Sequence, residues 1–113
     1  MKDRNKLRTS LLAGAIGLFA FSVTAGLTMA ATLQNGEAGF KEYCAGCHFE
    51  GGNLINPAKT LSKKDREKNG VRTVNDVVKI MRNPGEGMST FDEKTLPETE
   101  AKKIAEYILT TFK

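Results

Sequence analysis

The two cysteines of the chain and its only histidine stand together in one segment, Cys44-Ala45-Gly46-Cys47-His48. Two thiols at this spacing can reach the two vinyl groups on one edge of a porphyrin. The histidine that follows can place an imidazole nitrogen on the iron, and the small residues between the cysteines let the backbone approach the macrocycle closely. Cys-x-x-Cys-His is the attachment signature of haem c. The segment therefore predicts one covalent haem, with Cys44 and Cys47 as thioether residues and His48 as an axial ligand.

Other interpretations of the cysteine pair have less support in the sequence. A thioredoxin-like redox motif needs a βαβ setting, and no segment alternates with the period of two that strands require. Half of a zinc site would need two further cysteine or histidine ligands, which the chain does not have. A purely structural cysteine pair is the remaining alternative.

The second axial ligand of the iron is predicted by elimination. Without a second histidine, methionine is the common choice, and the chain has four. Met1 and Met29 lie in the N-terminal leader described below, and Met81 lies on the apolar stripe of a predicted helix, where it is expected to pack in the core. Met88 follows the loop Asn83-Pro84-Gly85-Glu86-Gly87, from which a thioether can reach the iron. Met88 is the predicted ligand, with Met81 and an open coordination position as alternatives.

The elements that must position these residues are all helical. Apolar residues recur at helical spacing, and Gly and Pro clusters separate the segments, so the prediction is an all-α domain of four helices joined by long loops. Ser62 is a candidate N-cap with Asp65 at the capping-box position, and Gly70 is well placed to end that helix. The predicted helices are Gln34–Cys47, Ser62–Asn69, Thr73–Arg82 and Glu98–Thr111, and loops cover 48–61 and 88–96.

The N-terminal residues have the form of a secretory signal peptide. Four basic residues among the first eight precede an uncharged stretch, Leu11–Leu27, and then small residues up to Ala31. We expect cleavage after Ala30, with Ala31 as the next choice, and an uncleaved anchor as the alternative. Residues 1–30 are thus predicted to be a leader, and residues 31–113 one monohaem domain exported to the periplasm or, alternatively, the thylakoid lumen.

The charge of the exported part argues against a nucleic-acid partner. The whole chain has a formal charge of +4, but residues 1–30 carry four bases and one acid. Their removal leaves 13 Lys and Arg against 12 Asp and Glu, a formal charge of +1. A surface so nearly neutral is not that of a general nucleic-acid binder. A domain of about 83 residues with one cysteine pair also needs another stabiliser, which a buried cofactor would supply.

The mature part of the chain resembles class I cytochrome c, and within it the cytochrome c6 group, over residues 35 to 112. The segments that carry the resemblance are Gly36-Glu37-Ala38-Gly39-Phe40, Gly51-Gly52-Asn53 with Lys59-Thr60-Leu61, Met88-x-x-Phe91, and Ile104-Ala105-Glu106-Tyr107-Ile108. The resemblance implies a small cytochrome c fold in which Gly36 and Phe40 pack against Tyr107. It also makes Asn53 and Lys59 candidates for contact with the haem edge and propionates. Ser89 departs from the family, which usually has proline after the ligand methionine.

These features predict an electron carrier and not an enzyme. Histidine and methionine together fill the coordination of the iron, so a single electron would enter and leave through an exposed haem edge. We expect transient redox donors and acceptors, a monomer, and membrane contact only through those partners or an uncleaved N-terminus. The alternative function is a haem-based sensor or peroxidase-like protein in which Met88 is displaced. The predicted haem wall consists of Leu54, Ile55, Leu61, Val74, Val78, Phe91 and Ile104.

Overall fold

The computed structural model describes Gly17 and residues 35–113. The predicted leader, residues 1–30, lies outside the continuous described part. In that part the chain is helical and contains no strand, which confirms the all-α prediction. No helix of this part is long and apolar enough to cross a membrane. The helices are α1 (35–43), α2 (Lys63–Lys68), α3 (Val74–Arg82) and α4 (Glu98–Thr111), and a 3₁₀ turn spans Phe49–Gly51.

The first and last helices cross in close contact, because a glycine removes the side chain that would separate them. A Cβ atom on Gly36 would lie 2.9 Å from the Cβ of Tyr107 and still closer to the carbonyl of Lys103. One turn further along α1, the ring of Phe40 lies 5.4 Å from that of Tyr107 and 5.3 Å from that of Phe112. The predicted packing of Gly36 and Phe40 against Tyr107 is therefore confirmed.

Helix α1 ends earlier than predicted. The prediction extended it to Cys47, but residues 44–47 form turns. The amides of Cys44 and Ala45 both donate to the carbonyl of Phe40, and those of Cys47 and His48 both donate to the carbonyl of Cys44. Gly46, with its low helix propensity, stands within this stretch. The cysteines consequently lie on a turn that leaves the helix axis.

The capping box occurs one helix later than predicted. At α2 only half of it forms, since Ser62 accepts from the amide of Asp65 while the Asp65 carboxylate accepts from the hydroxyl of Thr60 instead. At α3 both halves are present: Thr73 accepts from the amide of Asp76, and the Asp76 carboxylate accepts from the amides of Arg72 and Thr73. These bonds lower the pKa of Asp76 from its ordinary value. The complete capping box stabilises the N-terminus of α3, and this helix forms one wall of the site.

The core lies where α1, α3 and α4 meet. Helix α4 contributes four of its buried residues at helical spacing, as the sequence predicts. The buried apolar side chains are Phe40, Val77, Val78, Met81, Leu96, Ala101, Ile104, Ala105 and Ile108. Nine residues make a small core for a domain of this length.

Candidate functional site

The predicted site residues come together around one cavity of about 310 Å³. Its wall includes both cysteines, His48, Met88, Asn53 and Lys59. The volume lies in the range of cofactor and ligand pockets, and the surface of the wall is mainly apolar. The remaining wall residues come from every part of the domain: Tyr43, Ile55, Asn56, Thr60, Leu61, Arg66, Asn69, Val71, Val77, Ile80, Met81, Gly85, Glu86, Gly87, Ser89, Phe91 and Ile108.

A backbone contact fixes the orientation of the His48 ring. Its Nδ1 atom lies 2.7 Å from the carbonyl oxygen of Gly52. A carbonyl can only accept a hydrogen bond, so Nδ1 carries the proton and Nε2 keeps its lone pair. A histidine held in this way presents Nε2 as a metal ligand. The turn after the cysteines thus selects the tautomer that iron coordination requires.

The two cysteines have different exposure. The Cys44 thiol is half-buried beside the core, and burial raises its pKa to about 11. Cys47 is exposed at the mouth of the cavity. Both thiols therefore border the same cavity, one toward the core and one toward solvent.

Of the two glycines in the loop that carries Met88, one is required by its backbone conformation. Gly87 has φ of +89°, which disfavours any residue with a Cβ, and a Cβ there would lie 2.8 Å from Cγ2 of Ile55. The backbone at Gly87 therefore passes close to the Ile55 side chain, and both residues line the cavity. Gly85 has no positive φ and open space around it. Of the two, only Gly87 is required by the backbone that precedes Met88.

Arg82 holds the segment that follows Met88. Its Nη1 donates to the carbonyls of Phe91 and Leu96, at 2.8 and 2.9 Å, and its Nη2 lies 3.2 Å from a Glu98 carboxylate oxygen. The amide of Phe91 in turn donates to the carbonyl of Met81 at 2.9 Å. The loop is therefore joined to α3 and to the start of α4, so that Met88 is carried by a supported segment.

Both methionines of the described part line the cavity, but one lies on a packed helix and the other on a loop. Met81 is 3% exposed, lies on α3 and belongs to the core, as predicted. Met88 is half-buried on the loop, and of its own backbone only the amide makes a weak bond, 3.4 Å to the carbonyl of Gly85. Met81 is therefore held in the core, whereas Met88 lies on a loop that borders the cavity, from which its thioether can reach a metal.

Asn53 and Lys59 act together in the loop that follows the motif. The Asn53 amide oxygen accepts from the amides of Ile55 and Asn56, and its Nδ2 donates to the carbonyl of Lys59 at 2.9 Å. The Lys59 side chain is exposed at the rim of the cavity. Asn53 consequently organises the loop in this structure, and its contact with a haem edge stays a prediction.

The predicted wall is only partly right. Ile55, Leu61 and Phe91 line the cavity, but Leu54 is 73% exposed and lies outside it. The other predicted wall residues, Val74, Val78 and Ile104, pack in or against the core instead. On α3 the face toward the cavity carries Val77, Ile80 and Met81. Apolar spacing alone could not separate two apolar faces of one helix, which is why the prediction chose the wrong valines.

Sequence reasoning missed one functional candidate, Arg66. It is 6% exposed, it lies on the wall of the cavity, and it is the buried charged residue of the described part. A signal was present in the sequence. The α2 sequence, Lys-Lys-Asp-Arg-Glu-Lys, has no apolar residue, so a helix packed on the domain must turn a charged side chain inward.

The chemistry of the wall fits a haem. It supplies two thiols at the attachment spacing, an imidazole with a free Nε2, a thioether from a separate loop and an apolar surface for the macrocycle. No group of three or more His, Cys, Asp or Glu that could hold a metal ion occurs in the described residues, so a zinc site of such ligands finds no support there.

Comparisons with known proteins agree with this chemistry. A family model described as "Cytochrome C oxidase, cbb3-type, subunit III" matches residues 31–108. The chain is 35% identical over 92 residues to a cytochrome c6-like protein of a Nostoc species, covering 81% of this chain and 82% of the relative. It is 37% identical over 93 residues to cytochrome c6 of a Synechocystis species, covering 82% and 74%. The solved structure of the outer membrane cytochrome OmcF of Geobacter sulfurreducens is 49% identical with a TM-score of 0.68, covering 69% of this chain and 99% of that one.

Proposed function

Because the chain belongs to the cytochrome c family, with cytochromes c6 among its relatives, we propose that it carries single electrons through a haem c iron held between His48 and Met88. Proteins of this family are electron carriers with covalently attached haem c, and the chain is accordingly a carrier and not an enzyme. Beyond family membership, we propose the two iron ligands, the attachment residues Cys44 and Cys47, and the cellular location of the protein.

One observation carries the ligand assignment. His48 and Met88 both line the cavity that contains the two cysteines, although 40 positions separate them in the sequence. The Gly52 carbonyl fixes the tautomer of His48, and the Arg82 contacts support the Met88 loop. Two ligands on separate, braced segments suit a metal whose coordination should change little between oxidation states.

The residues of the wall also influence the reduction potential of the haem. The haem iron supplies the change of oxidation state, and a neutral imidazole with a neutral thioether favours the ferrous form over bis-histidine ligation. The apolar wall excludes water, and a dry site disfavours the extra charge of ferric haem. The protein therefore raises the potential while the exposed Cys47 side of the cavity gives partners access to the haem edge.

The N-terminal residues and the charge support the remaining parts of the proposal. We assign residues 1–30 to a cleaved signal peptide and residues 31–113 to the haem domain, and the start of the family match at residue 31 supports this division. The protein would then act in the periplasm as a monomer. A formal charge of +1 for the exported part suits brief contacts with several redox proteins.

The test compares two methionine variants of the haem-loaded protein. Met88→Leu should abolish the methionine–iron charge-transfer band and open the iron to carbon monoxide, because a leucine cannot coordinate. Met81→Leu is the matched control, since it removes the other thioether of the cavity wall and should keep the band. Absorption spectra of the oxidised and reduced proteins, with and without carbon monoxide, measure both effects.

Three other outcomes would each contradict one part of the proposal. If the band is lost in Met81→Leu and kept in Met88→Leu, the assigned ligand is wrong. If the unmodified protein is high-spin and binds carbon monoxide at neutral pH, the sensor or peroxidase-like function replaces the carrier. If the chain carries no covalent haem in a host that attaches haem to other cytochromes, Cys44 and Cys47 are not attachment residues.

A further inference from the structure

A buried arginine lies on the cavity wall, and no described residue supplies a counter-charge within ion-pair distance of it. Arg66 is 6% exposed, in the middle of α2. Its Nε donates to the carbonyl of Leu61 at 2.7 Å, and its Nη2 donates to the carbonyl of Phe112 at 2.9 Å. Both acceptors are neutral, and a guanidinium has more N–H donors than these two carbonyls use. Part of its hydrogen-bonding capacity therefore remains available to a group inside the cavity.

No carboxylate of the described residues forms an ion pair with Arg66. The adjacent Glu67 is paired with Lys63, and the remaining ion pairs lie on α1, α3 and α4. Burial lowers the pKa of the Arg66 guanidinium, and only Glu67 opposes this effect. A buried charge without a partner is costly, so arginines in such positions are nearly always paired. The guanidinium stays protonated in proteins, which means that it cannot avoid this cost by losing its proton.

The missing partner is then an anion carried by the occupant of the cavity. The charged side chains that share the wall with Arg66 are Lys59 and Glu86, on the rim loops, and both are exposed. Glu86 does not lie within ion-pair distance of the guanidinium, and Lys59 carries a charge of the same sign. Arginine is suited to such a partner, because its planar fork donates two parallel hydrogen bonds to one carboxylate.

We propose that Arg66 is the positioning residue that pairs with a propionate of the haem. This inference rests on the proposed function, since it needs a haem in the cavity. The pair satisfies the guanidinium, fixes the propionate within the domain, and cancels one negative charge close to the iron. Cancelling that charge favours the ferrous form, so Arg66 raises the reduction potential of the protein.

Three variants of the haem-loaded protein separate a charge effect from a structural one. Arg66→Gln removes the charge, and Arg66→Lys keeps it, while both lose the arginine bonds to Leu61 and Phe112. Arg72→Gln is the matched control, since it removes the charge of an exposed arginine that is outside the cavity wall. We expect a lower potential in Arg66→Gln, a potential near that of the original protein in Arg66→Lys, and almost no change in Arg72→Gln.

Equal shifts in Arg66→Gln and Arg66→Lys would overturn the proposal, because they would mean that Arg66 acts only through its bonds to the backbone. The same holds if Arg66→Gln and Arg72→Gln shift equally. Should the Arg66 variants fail to fold, the structure of the unmodified loaded protein decides: a propionate oxygen farther than about 4 Å from the guanidinium contradicts the pair. A low-spin spectrum with the methionine band in that protein shows that the proposed function stands even when this inference fails.

Discussion

At the scale of single residues, backbone groups near the motif and before Met88 orient the side chains of the site. The Gly52 carbonyl selects the histidine tautomer, and a left-handed glycine turns the chain just before Met88. Neither the carbonyl nor the glycine has a side chain that a sequence pattern would mark as functional. The proposed ligands follow from residue type and elimination, but the groups that orient their side chains could not be predicted, because any residue offers a carbonyl.

Gly87→Ala tests this dependence on the backbone. An alanine at φ of +89° costs about 1–2 kcal/mol, and its Cβ would also press on Ile55. We expect the loop to shift, which weakens the bond between Met88 and the iron and raises the affinity of the ferrous protein for carbon monoxide. Carbon monoxide titration of the reduced protein measures the change.

Gly85→Ala is the control for that experiment, since it adds the same methyl group to the same loop in open space without a positive φ. It should leave carbon monoxide affinity close to that of the original protein. Equal effects of the two substitutions would mean that general stiffness of the loop matters, and that the conformation of Gly87 does not.

At the scale of elements, sequence reasoning was most accurate where one face of a helix is apolar and the ends are marked. Helix α4 has the predicted bounds, Glu98–Thr111, because Pro97 precedes it and its apolar stripe is regular. Helix α1 was extended too far, since the apolar spacing continues through Cys44 although the chain turns there. Arg66 was missed because a helix made only of charged residues gives no periodic signal to show which side chain faces inward.

Gly36→Ala tests the crossing of α1 and α4. The added methyl would collide with the Lys103 carbonyl and with Cβ of Tyr107, atoms that cannot move without displacing α4. We expect the free energy of unfolding to fall by about 1–3 kcal/mol, as in other overpacked interiors. Urea denaturation of the haem-loaded protein, followed by circular dichroism, measures this loss.

Gly39→Ala serves as the matched substitution on the same helix. Its Cβ would lie 2.8 Å from side-chain atoms of Ile104 but within 4 Å of no backbone atom of α4, and both substitutions gain the same helix propensity. The loss of stability should therefore be smaller than for Gly36→Ala. A larger loss for Gly39→Ala would show that the Ile104 side chain limits the crossing more than the α4 backbone does.

At the scale of the whole molecule, the domain is built around space that its own side chains do not fill. Among the described residues, nine buried apolar side chains form the core, next to a cavity of about 310 Å³ with a mainly apolar wall and an arginine that has no carboxylate partner there. A core of this size supplies little stability beyond the entropy cost of folding. The small number of core residues and the long loops were predictable from the sequence, and both indicate that the cofactor is part of the fold.

Loss of haem attachment should therefore remove cooperative folding. In the variant Cys44→Ala/Cys47→Ala, freed of loosely held haem, we expect weaker helical circular dichroism and a thermal transition that is broad or absent. The loaded original protein is the reference. A haem-free variant that unfolds cooperatively at the same temperature would mean that the apolar core suffices on its own.

The cavity wall takes Tyr43 from the first helix and Ile108 from the last, and this has a consequence for the order of events during synthesis. A nascent chain emerges from its N-terminus, and contacts between distant positions form only after the loop between them has closed. Cys44, Cys47 and His48 are thus made well before the helix that completes the enclosure exists. Because the apolar core alone is not expected to hold the fold, we expect the attachment segment to stay accessible to an assembly enzyme until the haem is bound, and haem attachment then ends that interval.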